Sequence, residues 1–291
     1  MSEFRGEIEK IHESRGAPRQ NPGGDPDLAP GQLALQILGE DGIHFEDRQN
    51  ERLAPQAAEL LAFVHLSHRR EVRRPAVLRA LWPELDARTA RRRLSRLLWR
   101  CQQVLPYGVL TVRGESIAVD DRLYSDHQCA GATIDRILAG ERRQDCELLV
   151  LHRRLLTDVV AEWTNEHRLH WDRRRTQALE KATETLLQHQ QIRSALLHAS
   201  YLSEWQPLNE NAQQLLFHAF LADGAPGKAL KSFHEYRRTL RRELGAEPSA
   251  DFRELARTAE LGLPNPSAGT AEWRRLKGSQ IGLARFHKSR P

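Results

Sequence analysis

Arg88, Arg92 and Arg96 stand four residues apart. On a helix, at about 100° per residue, they share one face with Ser95 and Trp99, and Arg91, Arg93 and Arg100 lie on its flanks. A guanidinium forks two parallel N–H donors onto a guanine edge or a phosphate, so the chemistry of this set is recognition, not bond making. The spacing marks Arg88, Arg92 and Arg96 as base-reading residues. Thr89, Arg91 and Arg93 are placed to meet phosphates, since half or more of protein–DNA hydrogen bonds go to the backbone. Trp99 is expected to pack within its own domain in preference to stacking on a sugar. A basic helix face by itself can equally be a solvated surface, so the elements around it decide.

The stretch from Asp86 to Leu105 predicts one amphipathic helix. Ala90, Leu94, Leu97, Leu98, Cys101 and Leu105 recur at steps of three and four and form an apolar stripe opposite the arginines. Its six arginines meet one carboxylate, Asp86, at the end where a negative charge suits the helix dipole. Two helices precede it, opened by Pro55 and Pro75. Leu33, Leu35 and Ile37, then a GEDG turn, then Ile43 and Phe45, predict an N-terminal hairpin, with a short strand near Glu51–Leu53. After the long helix, VLTVRGESIAVD predicts two strands around an Arg113-Gly114-Glu115 turn. Strands, three helices and a basic-tipped hairpin are the order of a winged helix, in which the third helix enters the major groove and Arg113 at the wing tip meets phosphate.

Charge supports a polyanion partner. The 291-residue chain has a net charge of +5, yet between Arg69 and Arg100 eleven arginines face only Glu71, Glu84 and Asp86. Positive charge concentrated in one region is the footprint of nucleic acid. The three cysteines fit neither a metal site nor a disulfide framework. No apolar run is long enough to span a membrane and no secretory signal opens the chain, so a soluble cytoplasmic protein is expected.

Other chemistries are weaker. Glu162, Glu166 and His170, with His167 adjacent, have a metal-compatible spacing, but Trp163 and Trp171 interrupt the face and a solvated surface explains it better. GAPGKA (224–229) lacks the spacing and the Ser/Thr of a phosphate loop. No catalytic constellation, cofactor motif or metal set is identified, and no enzyme is expected.

From Tyr124 onward helical periods dominate: 128–138, 146–157, 161–189, 192–203, 211–223, 226–243 and 249–259. Ser194-Ala195-Leu196-Leu197 aligns with Lys228-Ala229-Leu230-Lys231 at an offset of 34 residues, as do Leu186 with Phe220 and Ala182 with Leu216. A 34-residue helix–turn–helix period is the tetratricopeptide spacing.

Residues 229–255 resemble the end of the bacterial transcriptional activator domain. The motif residues are Ala229-Leu230, Phe233, Tyr236, Arg238, Leu240, Glu243-Leu244-Gly245 and Glu247-Pro248-Ser249. LRALWPELDARTARRRLSRLL (78–98), with its Leu81-Trp82-Pro83 turn, resembles the winged-helix part of SARP-type activators. The expected fold is therefore mainly α: an N-terminal winged helix-turn-helix (α+β), then an all-α tetratricopeptide-like domain. The expected organisation is a disordered tail at 1–31, a winged-helix DNA-binding domain at 32–122, an activator domain at 124–263 and a basic flexible tail at 264–291. The resemblance implies a nucleoid-associated activator that binds promoter direct repeats of double-stranded DNA as two protomers and recruits RNA polymerase. The alternative is a tetratricopeptide-type adaptor with a nonspecific nucleic-acid-binding domain.

Overall fold

The computed structural model describes residues 33–39, 43–46 and 53–262. The two expected tails, most of the GEDG turn and Glu51–Arg52 lie outside these residues, and Leu53 is in no strand. Among the described residues the chain divides into two compact units. The first runs to Gln128 and takes in Leu156–Glu162; the second holds Cys129–Leu155 and the chain from Trp163 on.

The first unit contains two three-stranded sheets. In one, β1 (Leu33–Gln36) pairs antiparallel with β2 (His44–Glu46) and parallel with β6 (Leu123–Ser125). Where β1 ends, the Asp126 carboxylate accepts from the amides of Ile37 (2.9 Å) and Leu38 (3.0 Å), so backbone donors beyond the ladder are not left unpaired. Leu156 N–H donates to Ile37 O (2.9 Å), and the Thr157 hydroxyl donates to Gly39 O.

Between β1–β2 and β6 lie three helices, α1 (Pro55–Leu66), α2 (Arg74–Leu81) and α3 (Ala87–Val104). Pro55 and Pro75 sit in the first turns of α1 and α2, where a missing N–H costs nothing. The second sheet has the order β3-β5-β4, antiparallel throughout, from β3 (Glu71–Arg73), β4 (Leu110–Arg113) and β5 (Ser116–Val119). Leu61, Val64, Val77, Leu94, Leu98 and Ile117 are buried in this unit. This is the winged helix-turn-helix, with a third wing strand, β3, in a basic stretch where sequence periodicity predicts only a turn.

The second unit is helical: most of α4 (Asp126–Leu138), then α5 (Asp145–Leu149), α6 (Thr164–Gln188), α7 (Ile192–Trp205), α8 (Glu210–Ala222), α9 (Pro226–Leu244) and α10 (Ala250–Glu260). The 34-residue repeat is visible in its turns. Gln190 (φ 59°) and Gly224 (φ 72°) occupy the same left-handed position. Gln191 N–H donates to Leu186 O and Ala225 N–H to Phe220 O, both at 2.9 Å. Gln190 N–H donates to Leu187 O and Gly224 N–H to Leu221 O, both at 3.1 Å. These are two Schellman caps in register, each reversing one helix onto the next. Ala195 and Ala229, which align in the repeat, are both fully buried.

One expected helix is shorter than its periodicity suggests. The 146–157 segment is helical only through α5 and a 3-10 turn at Val150–His152; Leu156 then takes φ 52°, and no helix resumes before Thr164. The freed carbonyls are satisfied from α6. Arg175, fully buried, donates through Nη1 to Leu151 O (3.2 Å), His152 O (3.1 Å) and Arg153 O (3.3 Å) and to Tyr201 Oη (2.7 Å); its Nε reaches Asp172 (2.9 Å). Its guanidinium lies 3.5 Å over the Trp205 ring. Trp171 Nε1 adds a bond to Arg153 O (3.1 Å).

The activator-domain motif resolves into caps. Gly245 (φ 63°) ends α9 and donates to Arg241 O (3.0 Å). Glu247 bridges Arg237 (2.8 Å) and Arg241, Pro248 is buried, and Ser249 Oγ accepts from Phe252 N–H (3.2 Å) to start α10. Phe252 then meets Phe233 and Phe217 edge to face, with ring centroids 5.0 and 5.5 Å apart.

Replacing Arg175 with Met should strand Leu151 O, leave His152 O and Arg153 O with one donor each (Tyr201 Oη and Trp171 Nε1), remove the Asp172 ion pair, and lower stability by about 2–4 kcal/mol. Urea unfolding of the full chain measures this; a loss under about 1 kcal/mol would show that water replaces the guanidinium at no great cost.

Candidate nucleic-acid interface

Helix α3 starts at Asp86, whose Oδ1 accepts from the amides of Arg88 and Thr89, both at 3.0 Å. These bonds, with one from the Thr89 hydroxyl as the largest contribution, hold the Asp86 carboxyl below its usual range. The Thr89 hydroxyl, expected on phosphate, is thus engaged in the helix cap. The buried back of α3 is Ala90, Leu94, Leu97, Leu98 and Cys101. Burial also pushes the Cys101 thiol up to about 11, so that side chain behaves as a small apolar group.

Arg88, Arg92 and Arg96 are exposed on the opposite face, with Arg91, Arg93 and Arg100 exposed on the flanks. Among the described residues none of the six has a side-chain hydrogen bond or ion-pair partner. By contrast Arg122, Arg143, Arg174, Arg175, Arg237, Arg241, Arg242 and Arg257 elsewhere in the chain all sit on carboxylates. The structure therefore collects the sequence-marked arginines on one surface with their donors unspent.

Trp99 departs from expectation. It is not packed in the domain but 61% exposed, on the arginine face. The apolar stripe of α3 is already complete without it, and position 99 falls opposite that stripe.

The wing is the tight turn at Gly114 (φ 58°) between β4 and β5, and Arg113 is exposed at its edge. Two residues that sequence reasoning missed hold it. Arg74, at the start of α2, donates from its backbone N–H to Glu115 O (2.8 Å) and from Nε to Gly114 O (3.1 Å), tying the wing turn to the helix. Glu71 on β3 meets the Ser116 hydroxyl on β5. No sequence signal separates Arg74 from its neighbours; the pairing is tertiary.

Arg70 is the second missed element. It and Arg69 both adopt left-handed backbone (φ 53° and 58°), a conformation that costs roughly 1 kcal/mol or more per non-glycine residue. The turn is held by the Arg70 side chain, which reaches Leu123 O on β6, Asp121 (2.9 Å) and His65 Nδ1 (2.7 Å). His65 Nε2 then meets Ser125 Oγ at 2.9 Å. Since Arg70 can only donate, Nδ1 accepts and the ring is the neutral Nε2–H tautomer. Burial and, behind it, the Arg70 charge lower the His65 pKa to about 3.

The weaker candidates resolve as ordinary structure. Glu162 precedes α6, while Glu166 and His170 are exposed on it. Among the described residues no three His, Cys, Asp or Glu side chains are grouped to hold a metal. GAPGKA is a repeat turn, with Gly224 as its left-handed residue and Pro226 opening α9. No helix among the described residues is long and apolar enough to cross a membrane.

The family described as bacterial transcriptional activator domain matches residues 142–259. The chain is 28% identical over 243 residues to the regulatory protein AfsR of Streptomyces coelicolor, covering 77% of this chain and 24% of AfsR. It thus spans about a quarter of that relative's length. A solved structure of Mycobacterium tuberculosis EmbR, in complex with a low-affinity phosphopeptide, superposes with a TM-score of 0.65 at 17% identity, covering 86% of this chain and 70% of EmbR. Residues 142–259 thus carry a bacterial transcriptional activator domain, and the chain as a whole is similar to a regulatory protein. The likeness to EmbR, over 86% of this chain, extends the shared fold beyond residues 142–259.

Because the His65 pKa lies near 3 in the folded protein and near 6.5 when unfolded, the unfolded chain binds more protons between these values. Stability contributed by neutral His65 is therefore full above about pH 6.5 and is lost as pH falls toward 3. His152 and His218, pushed by burial to about 3 and about 4, act in the same direction. Melting temperature should drop on going from pH 7 to pH 5, and His65→Gln should flatten that slope; an unchanged slope would mean His65 is accessible to protons in the folded state.

Proposed function

We propose that this chain is a sequence-specific DNA-binding activator that reads promoter DNA with the exposed face of α3. The observation that carries the reading is the set of six arginines on a helix whose back is buried and whose charges have no described partner. Arg88, Arg92 and Arg96 read base edges in the major groove. Arg91 and Arg93 on the flanks, and Arg113 on the wing, take phosphates. On the duplex the Thr89 hydroxyl turns from Asp86 and donates its proton to a phosphate oxygen. Two protomers bind a direct repeat, so that successive α3 helices enter the same side of the duplex one turn apart, about 10–11 bp. The helical unit, with stacked helix pairs, is the surface that engages RNA polymerase. The protein acts in the bacterial cytoplasm, on nucleoid DNA.

Selection of genomic fragments by purified protein at physiological salt should recover a direct repeat with that spacing. Enrichment with no motif would leave only charge-driven binding and the adaptor reading. On the recovered site, Arg92→Ala or Arg96→Ala should each cost about 1–3 kcal/mol and relax the preference at one base pair. Arg91→Ala, Arg93→Ala and Arg113→Ala should weaken cognate and random duplex alike, and each should lower the salt slope by about one. Equal losses on both duplexes for Arg92→Ala would move that residue to the phosphate set.

A further inference from the structure

We infer that Trp99 is an apolar DNA contact on the reading face of α3, lying against a deoxyribose or a thymine methyl; this rests on the DNA-binding reading above. Four observations meet at this residue. First, Trp99 is 61% exposed, while Trp82 and Trp171 are 5% and 1% exposed and Trp163 and Trp205 half-buried. A tryptophan carries some 150–250 Å² of mostly apolar surface, and leaving most of it in water forgoes the burial that the other tryptophans gain. Second, its direction is set. Taking Arg88 as zero, about 100° per residue places Arg92 near 40°, Arg96 near 80° and Trp99 near 20°, between the base-reading arginines and opposite Leu94 and Cys101.

Third, its reach is right. Eleven residues at 1.5 Å each put Trp99 about 16 Å along the axis from Arg88, well within one duplex turn of about 34 Å. Fourth, the charge around it selects the occupant. Arg92, Arg96 and Arg100 flank the ring, exposed and without described partners. An apolar protein patch laid over Trp99 would have to desolvate these cations with nothing to receive them. A duplex groove offers phosphates to the cations and, at the same time, sugar and methyl carbon to the ring.

An apolar contact of this kind has its own signature. It adds affinity without releasing counterions, so its loss leaves the salt dependence unchanged, unlike the loss of an arginine. The test uses the full chain and the direct-repeat duplex recovered by selection, titrated at several salt concentrations. Trp99→Ala should weaken binding about tenfold or more at every salt concentration, with the slope unaltered, and Trp99→Phe should restore most of the loss. Melting temperature and circular dichroism of both variants should match the wild type, because the residue is exposed. Uracil in place of each thymine of the site, which removes the C5 methyl, separates the two contacts. One uracil position that reproduces the loss for the wild type but not for Trp99→Ala marks a methyl contact; no such position marks the sugar. If Trp99→Ala binds the site as the wild type does, the inference falls and the ring belongs to a protein partner. If the wild-type chain prefers no duplex at all, the DNA reading falls with it.

Discussion

Six like charges on an 18-residue helix repel one another, and α3 contains no carboxylate within its bounds to offset them. What holds this helix is its buried back: Leu94, Leu97, Leu98, Cys101 and Ala90 are each 5% exposed or less. That constraint orders the first unit. α1 and α2 supply apolar surface against the stripe, and the wing sheet contributes Ile117 to the same core. The Asp86 cap serves the same end, placing the one available carboxylate where it pairs with backbone amides and not with an arginine. Because the stripe alone anchors the helix, the guanidinium groups are left uncommitted, and that is the property recognition requires.

The wing depends on a different device. A three-residue strand such as β3 has too few ladder bonds to position itself. It is fixed from both ends, by the left-handed Arg69–Arg70 turn before it and by Arg74 after it. Arg70 couples the wing side of the unit to the other sheet, since its guanidinium reaches β6 through Leu123 O and α1 through His65. The cost of two left-handed arginines is offset by bonds that only a long, forked, always-charged side chain could make to three acceptors at once. Arg69, which shares the strain, has no such bonds among the described residues and is exposed.

Much of this fold was legible because its elements announce themselves locally. The 86–105 periodicity, the Pro55 and Pro75 helix starts, the Arg113-Gly114-Glu115 turn and the 34-residue repeat are all short-range signals, and α3 runs to within one residue of its expected ends. What escaped is what only distant partners decide. β6 is three residues long and pairs in parallel with a strand some ninety residues earlier; Leu123-Tyr124-Ser125 by itself has no pattern. Likewise the helix expected over 146–157 has sufficient periodicity, but Arg175, two dozen residues on, satisfies the carbonyls of an irregular path instead. The arginine surface was legible as a set. The orientation of Trp99 followed from the same geometry, yet the general tendency of tryptophan to be buried outweighed it.

The two halves of the sequence resemblance differ in what they can support. The C-terminal motif is structural: Gly245 is there for its left-handed backbone, Glu247 for two arginines of α9, Ser249 for the first turn of α10, and Glu210 receives both Tyr236 Oη (3.2 Å) and Ser249 N–H (3.0 Å). Each of these residues is engaged in a bond or backbone conformation that the fold uses. A motif of this type identifies the domain with high specificity for the same reason that it does not reveal a binding site. The α3 surface has the opposite character, since almost any polar residue there would fold equally well. Six arginines at positions where folding demands none are therefore the part of the chain that reports on function.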